Sequence, residues 1–371
     1  MKANRQLCIG LSIAVTWLSG NGWRRADSRV EEIYSADFYL DLARRAENAK
    51  LDFLFRPDVM FIDPLRAAQS PSFSSLDPTV LLAAIAGETR RIGLVSTAST
   101  TFLPPYLVAR QLQSLNWISQ GRAGWNVVTA LDGNRNFGLD RMSAADERYE
   151  KALEFTEVVR RLWQSYPHGA LTLDRQKGEY ARADRLRPIN HRGRFFSVQG
   201  PLNVPDPGCG AIPLFQAGAS DRGRDFAARI ADGVFAATPD IAAGVELRRD
   251  LRRRARAHGR HPDAIRLLPG LSLYLGKTRR EARELYRETQ ANQTNQTTAH
   301  WLVVGTVEDA LNDIAARAAA GAADGFIALP GGSPASLDLL FDELIPRLAE
   351  RGLFRRDYSG STLRQHLGMD P

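Results

Sequence analysis

The chain has only two cysteines, Cys8 and Cys209, in 371 residues. That excludes a disulfide framework and any CxxC metal site, and fits free thiols in a reducing cytoplasm. Its six histidines are scattered, with no HExxH and no paired-ligand spacing, so no metal site is expected. No GxGxxG follows the first predicted strand, which counts against a dinucleotide-binding open sheet, and no GxSxG marks a nucleophile elbow. Nowhere does an apolar run approach the eighteen residues of a membrane span. Leu7 to Leu18 follows Lys2 and Arg5 like a secretory signal, but Ser12, Thr16 and Trp17 interrupt it and no small-x-small cleavage site follows. Leu7 to Val15 is read instead as a first buried strand. Lysine is also scarce, with five residues, so the formal charge of +7 rests on arginine. Arg252, Arg253, Arg254 and Arg256 form a basic run on a predicted helix. Without interleaved aromatics it reads as a solvated face, and neither a nucleic-acid nor a membrane partner is expected.

What is present is an alternation of buried strand and amphipathic helix. Gly121 to Ala130 (GRAGWNVVTA) is an apolar run with Asn126 and Thr129 as its polar interruptions, the pattern of a central parallel strand buried on both faces. Seven further strands are predicted at Leu7–Val15, Leu51–Phe55, Arg91–Ala98, Ile212–Ala217, Gly233–Ala236, Ile265–Leu275 and Gly325–Leu329. Helices are predicted between nearly all of them, with Ser35, Asp77 and Ser220 as starting caps and a capping box at Ser143 and Asp146. Ser333 to Arg351 is the closing helix. Residues 166–210 are an excursion with a short hairpin near Arg194 to Val198, and 291–300 (around NQTNQTT) is a mobile polar loop. Eight strand–helix units predict an α/β fold, a (β/α)8 TIM barrel with insertions, as one domain over 1–371; a doubly wound open sheet is the competing arrangement.

Active sites of such barrels lie at the carboxyl ends of the strands. That rule selects Asp58, the run Thr97 to Thr101, Asn126, Thr129 and Ser220. Each has a plain structural reading: Asp58 as a turn residue, the hydroxyl run as loop chemistry, Ser220 as a helix cap. Together they describe a polar mouth. The helix start at Gly218-Ala219-Ser220 also offers unpaired N–H groups to a phosphate. His191 is read as structural, and no nucleophile–base pair is apparent.

Several strings, in order, resemble one family. They are RIGLVSTASTT (91–101), GRAGWNVVTA (121–130), DERY (146–149), HRGRFFSVQGPLN (191–203), QAGAS (216–220), VGT (304–306), GAADGF (321–326) and RGLF (351–354). The set resembles the nitrilotriacetate and dibenzothiophene-sulfone monooxygenases among the bacterial-luciferase-like flavin enzymes. The resemblance implies a luciferase-like barrel that uses reduced FMN and dioxygen. It would be the oxygenase half of a two-component system fed by a separate NAD(P)H:flavin reductase. One oxygen atom would pass through a flavin peroxide to a C–N, C–S or C–H bond of a small organic substrate. It further implies a homodimer or homotetramer, here in the cytoplasm that the free thiols suggest, with flavin contacts at Asp58, Thr97, Tyr149 and Ser220; the strand-end and helix-start readings add Asn126 and Ala219 as cofactor contacts. Tyr149 and Ser220 would take the phosphate end, and Asp58 and Thr97 would lie nearer the ring. No side-chain nucleophile is required, because the flavin carries the chemistry.

Departures accompany the resemblance. Ala145 stands where a histidine usually precedes DERY. Arg56-Pro57 replaces a small or apolar pair, bringing a charge or a kink toward the ring. The loop 61–75 and the segment before the last strand are short for the family. Two alternatives follow: a flavin- or deazaflavin-dependent oxidoreductase on the same barrel, or a non-catalytic flavin-binding homologue.

Overall fold

The computed structural model describes residues 6–71, 74–218, 220–290 and 300–369. Eight parallel strands close into a barrel: β1 (Cys8–Ser12), β2 (Phe53–Arg56), β3 (Gly93–Ser99), β4 (Ala123–Val128), β5 (Leu214–Gln216), β6 (Gly233–Ala236), β7 (Arg266–Leu275) and, after a further strand β8 (Trp301–Gly305), β9 (Gly325–Pro330). Each of the eight pairs with the next, and closure comes from β9 pairing with both β7 and β1. The closed barrel, and not the open sheet, is therefore the architecture. All eight predicted strands are found.

β8 was not anticipated. It pairs with Leu271 to Leu275 of β7, beyond the Arg266–Pro269 stretch that pairs with β6. β7 is long enough to carry two partners in succession. The predicted polar loop at 291–300 precedes β8, and 291–299 lie outside the described residues.

Inside the barrel, large rings face residues with no side chain. A Cβ on Gly10 would lie 2.3 Å from the Phe53 ring, and one on Gly233 would lie 2.7 Å from Phe215. Phe53 and Phe215 meet across the interior with centroids 5.1 Å apart. Filling a closed barrel requires such large–small complementarity, since the lumen is a packed core. The floor is supplied by the short helix Leu363–His366. Leu363 lies against Gly93 and Gly124, where a Cβ would approach it to 2.6 and 2.7 Å. The segment is tied down by Arg266, which donates to the Leu367 carbonyl, and by Arg355, which pairs with the buried Asp52.

Outside, Trp125 of β4 is fully buried against Phe155 and Trp163 of the helix Ala145–Gln164. Its Nε1 donates to the Ala98 carbonyl at 3.2 Å. This explains the tryptophan in the β4 string as packing between sheet and helix. Three boundaries differ from the sequence reading. Ser35 sits at the expected helix start but makes no side-chain capping bond. The helix after β4 is capped at Ala144, so Ser143 and Asp146 form no capping box; Ser143 instead offers its carbonyl to Arg148. The closing helix is interrupted by a wide turn over Leu340–Leu344. Pro346 follows, and its missing N–H removes the bond a regular helix would make there.

The excursion at 166–210 holds two hairpins, Leu171–Asp174 with Glu179–Ala181 and His191–Arg192 with Ser197–Val198. The second is the predicted hairpin. His191 fastens it, with Nε2 3.0 Å from Glu154 Oε1 and Nδ1 accepting from Arg161 at 3.2 Å. Its role is structural, as expected. The arginine run of the helix Ile241–Ala257 is also largely satisfied within the chain: Arg252 pairs with Asp263, Arg253 with Asp250, and Arg254 with Asp221 and Asp250. Among the described residues no helix is long and apolar enough to cross a membrane.

Candidate active site

A cavity of about 670 Å³ opens at the carboxyl ends of β2 to β5. Its walls come from the segments that leave those strands. Asp58 to Phe61 follow β2, Thr97 to Ser99 end β3, Val128 ends β4 with Thr129 to Asp132 after it, and Ala217, Gly218 and Ser220 follow β5. Tyr149 reaches it from the second turn of the helix Ala145–Gln164. Four of the six predicted contacts, Asp58, Thr97, Tyr149 and Ser220, thus converge on one cavity. Ala219 lies outside the described residues.

Asn126 sits below the cavity surface as the lateral register partner of Thr97. Thr97 Oγ1 donates to the Arg56 carbonyl at 2.7 Å, so it must accept from Asn126 Nδ2, which lies 2.9 Å away. That chain fixes the Asn126 amide, leaving its Oδ1 buried with no partner among the described residues. A buried acceptor without a donor is uncommon in a native interior, and ligand sites are where it is found.

The hydroxyl run after β3 divides into two kinds. Ser96 meets Thr79, and Thr100 and Thr101 bond to Val128 and Ala130, so these stitch neighbouring strand exits together. Only Thr97 and Ser99 line the cavity. Thr129 lines it as well.

At the β5 end, Ser220 caps the helix Asp221–Ile230, its Oγ accepting from the Gly223 N–H at 3.0 Å. The Tyr149 hydroxyl lies over the same turn, 2.8 Å from where a Gly223 Cβ would be. Gly218 sits 3.0 Å from that point too. Two glycines, a hydroxyl and an exposed helix start make a cradle open to a small anion. Both readings of Ser220, as cap and as part of a polar mouth, hold together.

Asp58 makes no ion pair among the described residues. Burial raises its carboxyl from 3.8 to about 6, opposed by the Val59 N–H and the Arg56 charge and reinforced by Asp77. Arg56 does not line the cavity, although its charge still acts on Asp58. Arg56 is buried outside the barrel, donating to the Ile13 carbonyl at 2.7 Å and lying 5.9 Å from the Tyr39 ring centroid. As the last residue of β2, next to the inward-facing Phe55, it points away from the lumen.

Sequence reasoning missed Asp77, Asp132 and Met60, all of which line the cavity. Asp77 caps the helix Pro78–Glu88, accepting from Val80 at 2.9 Å, and Asp132 accepts from its neighbour Gly133 at 2.6 Å. Local chemistry accounts for both, which hid their position in the site.

A family model described as luciferase-like monooxygenase matches residues 22–350. The chain belongs to the luciferase-like monooxygenase family. The nitrilotriacetate monooxygenase component A of Aminobacter aminovorans is 32% identical over 100% of this chain and 98% of its own length. The dibenzothiophene-sulfone monooxygenase of Rhodococcus erythropolis is 30% identical over 94% of this chain and 92% of its own. Among solved structures, a riboflavin lyase with modified FMN and riboflavin superposes with a TM-score of 0.90 at 29% identity, covering 98% of this chain and 96% of the other. Membership of this family confirms the resemblance read from the strings, and the flavin-enzyme barrel it implied.

Proposed function

We propose that the chain is the oxygenase component of a two-component monooxygenase. It would take reduced FMN from a separate NAD(P)H:flavin reductase and use dioxygen to oxidise a small organic molecule. The observation that carries this reading is the match between the cavity and the cofactor. An orphaned buried acceptor, Asn126 Oδ1, lies beneath it, and a glycine-lined anion cradle closes one end. A flavin mononucleotide has ring N–H groups for the first and a phosphate for the second. Asp58 and Thr97 would stand near the ring, with Tyr149, Gly218 and Ser220 at the phosphate.

When bound, the reduced flavin supplies the electrons that activate dioxygen. The protein's own residues do the rest. Thr97 and Asn126, locked to each other and to β2, present a rigid polar floor that needs no reorganisation on binding. Leu103 and Leu107 add apolar side chains to the lining against which an organic substrate can pack. Asp58, its carboxyl raised by burial to about 6, can hold or release a proton beside the reacting centre.

In this reading the whole chain is one barrel domain, and the protein is cytoplasmic, in keeping with two free thiols. It assembles as a homodimer or homotetramer, for which Val80 and Ile118, exposed on neighbouring helices, offer an apolar strip. The test is anaerobic titration with reduced FMN followed by admission of dioxygen. Saturable binding, with reoxidation slower than that of free flavin, supports the reading. Binding with no oxygen consumption points to hydride transfer on the same barrel, and no binding of reduced FMN defeats it.

A further inference from the structure

The cavity has an unusual charge for this chain. The protein carries 49 lysines and arginines and a formal charge of +7. Yet no lysine, arginine or histidine is among the described residues that line the site, whereas Asp58, Asp77 and Asp132 all do. None of these carboxylates forms an ion pair within the described residues. Asp77 and Asp132 spend one oxygen each on a backbone N–H and keep the other. Around them the wall is apolar, with Met60, Leu103 and Leu107. Asp77 also acts on Asp58, pushing its carboxyl upward as a like charge does. The phosphate of a bound flavin would add more negative charge. With the cradle taken by that phosphate, a polycarboxylate entering here would find no cationic side chain in the lining to pair with its charges.

From this lining we propose that the substrate is an organic cation, an amine protonated at neutral pH attached to an apolar body, and that anionic chelators are excluded. The inference rests on the functional reading above and narrows its substrate class. It also separates this chain from the relative named for nitrilotriacetate, which carries three carboxylates.

The probes are N,N-dimethylbenzylamine, its uncharged isostere isobutylbenzene, and nitrilotriacetate. Each is titrated by calorimetry into FMN-loaded protein and into protein without FMN, after FMN binding has itself been measured. The amine is expected to bind at least tenfold more tightly than isobutylbenzene, and nitrilotriacetate not at all. In the double variant Asp77→Asn, Asp132→Asn, the preference for the amine should fall to threefold or less. Asparagine caps a helix as well as aspartate does and still accepts a backbone N–H, so the fold is retained while the charge is removed. Equal binding of the amine and its isostere, binding of nitrilotriacetate, or an unchanged preference in the double variant would overturn the proposal. If FMN binds and the preference is absent, the substrate inference alone fails. If FMN does not bind, the functional reading fails first and this inference with it.

Discussion

Asn126 and Thr97 face each other across β4 and β3, and the 2.9 Å bond between them orients both side chains at the cavity floor. Because Thr97 spends its proton on the Arg56 carbonyl, Asn126 has no freedom to turn its amide, and its oxygen stays available to a donor. Asn126→Ala removes that acceptor while leaving the Thr97–Arg56 bond in place. Reduced-FMN affinity should fall by about tenfold, the worth of one good buried hydrogen bond. Fluorescence titration under anaerobic conditions measures it.

Ser220 serves a helix and, in the proposed reading, a phosphate, and the two roles can be separated. Ser220→Ala loses the cap and should cost about 1 kcal/mol of stability together with flavin affinity. Ser220→Asp keeps a capping oxygen and places a negative charge at the cradle. It should leave the melting temperature near the parent value while abolishing FMN binding. If Ser220→Asp binds FMN normally, the cradle is not the phosphate site.

Tyr149→Phe tests the other side of the cradle. The ring packs on Phe226 with centroids 5.6 Å apart, a contact phenylalanine preserves. Stability should be unchanged and reduced-FMN affinity lower by severalfold, read in the same titration. Ala145, the first residue of that helix, offers the converse experiment: Ala145→His should tighten binding.

The raised carboxyl of Asp58 makes a signed prediction for pH. Its folded-state value, about 6, lies above the ordinary 3.8, so the folded protein binds more protons than the unfolded chain between those values. Stability contributed by this group is therefore present below about pH 4 and lost as pH rises through 6. Asp58→Asn should be more stable than the parent at pH 7.5, by about 1 kcal/mol since the carboxyl is partly solvated, and equal to it below pH 4. Urea denaturation at the two pH values decides it. Asp77→Asn should move the Asp58 transition to lower pH.

At the other end of the barrel, Arg355→Ala would leave Asp52 buried without its cation. Asp52 is fully buried and also accepts from the Ile9 N–H at 2.6 Å. Loss of a partner from such a pair costs about 3–5 kcal/mol. Adding Asp52→Asn should recover part of it, as thermal unfolding of the single and double variants would report.

The barrel was legible because its strands are buried on both faces and so appear as apolar runs bounded by turns. β8 escaped because Trp301–Gly305 is short, alternates between buried and half-buried positions, and follows directly on the polar NQTNQTT tract. The strand-end rule found Asp58, Thr97, Asn126 and Ser220, since position along a strand is itself a local property. Asp77 and Asp132 were beyond it. One begins a helix and the other a turn, and only the folding of three successive loops over the same mouth brings them to the cavity. The supposed capping box at Ser143 shows the reverse error. The spacing was right for a box, but the helix begins at Ala145, and a spacing cannot say which residue the backbone chooses.

The floor of the barrel has a consequence for synthesis. A nascent chain that has emerged as far as Glu350 possesses β1 to β9, yet Leu363 has not arrived to fill the space beside Gly93 and Gly124. Until it does, the lumen is hollow at one end and Asp52 lacks Arg355. The cooperative unit is therefore completed only from its carboxyl side. A ribosome paused before residue 363 holds a chain with exposed apolar surface, the kind of species chaperones bind.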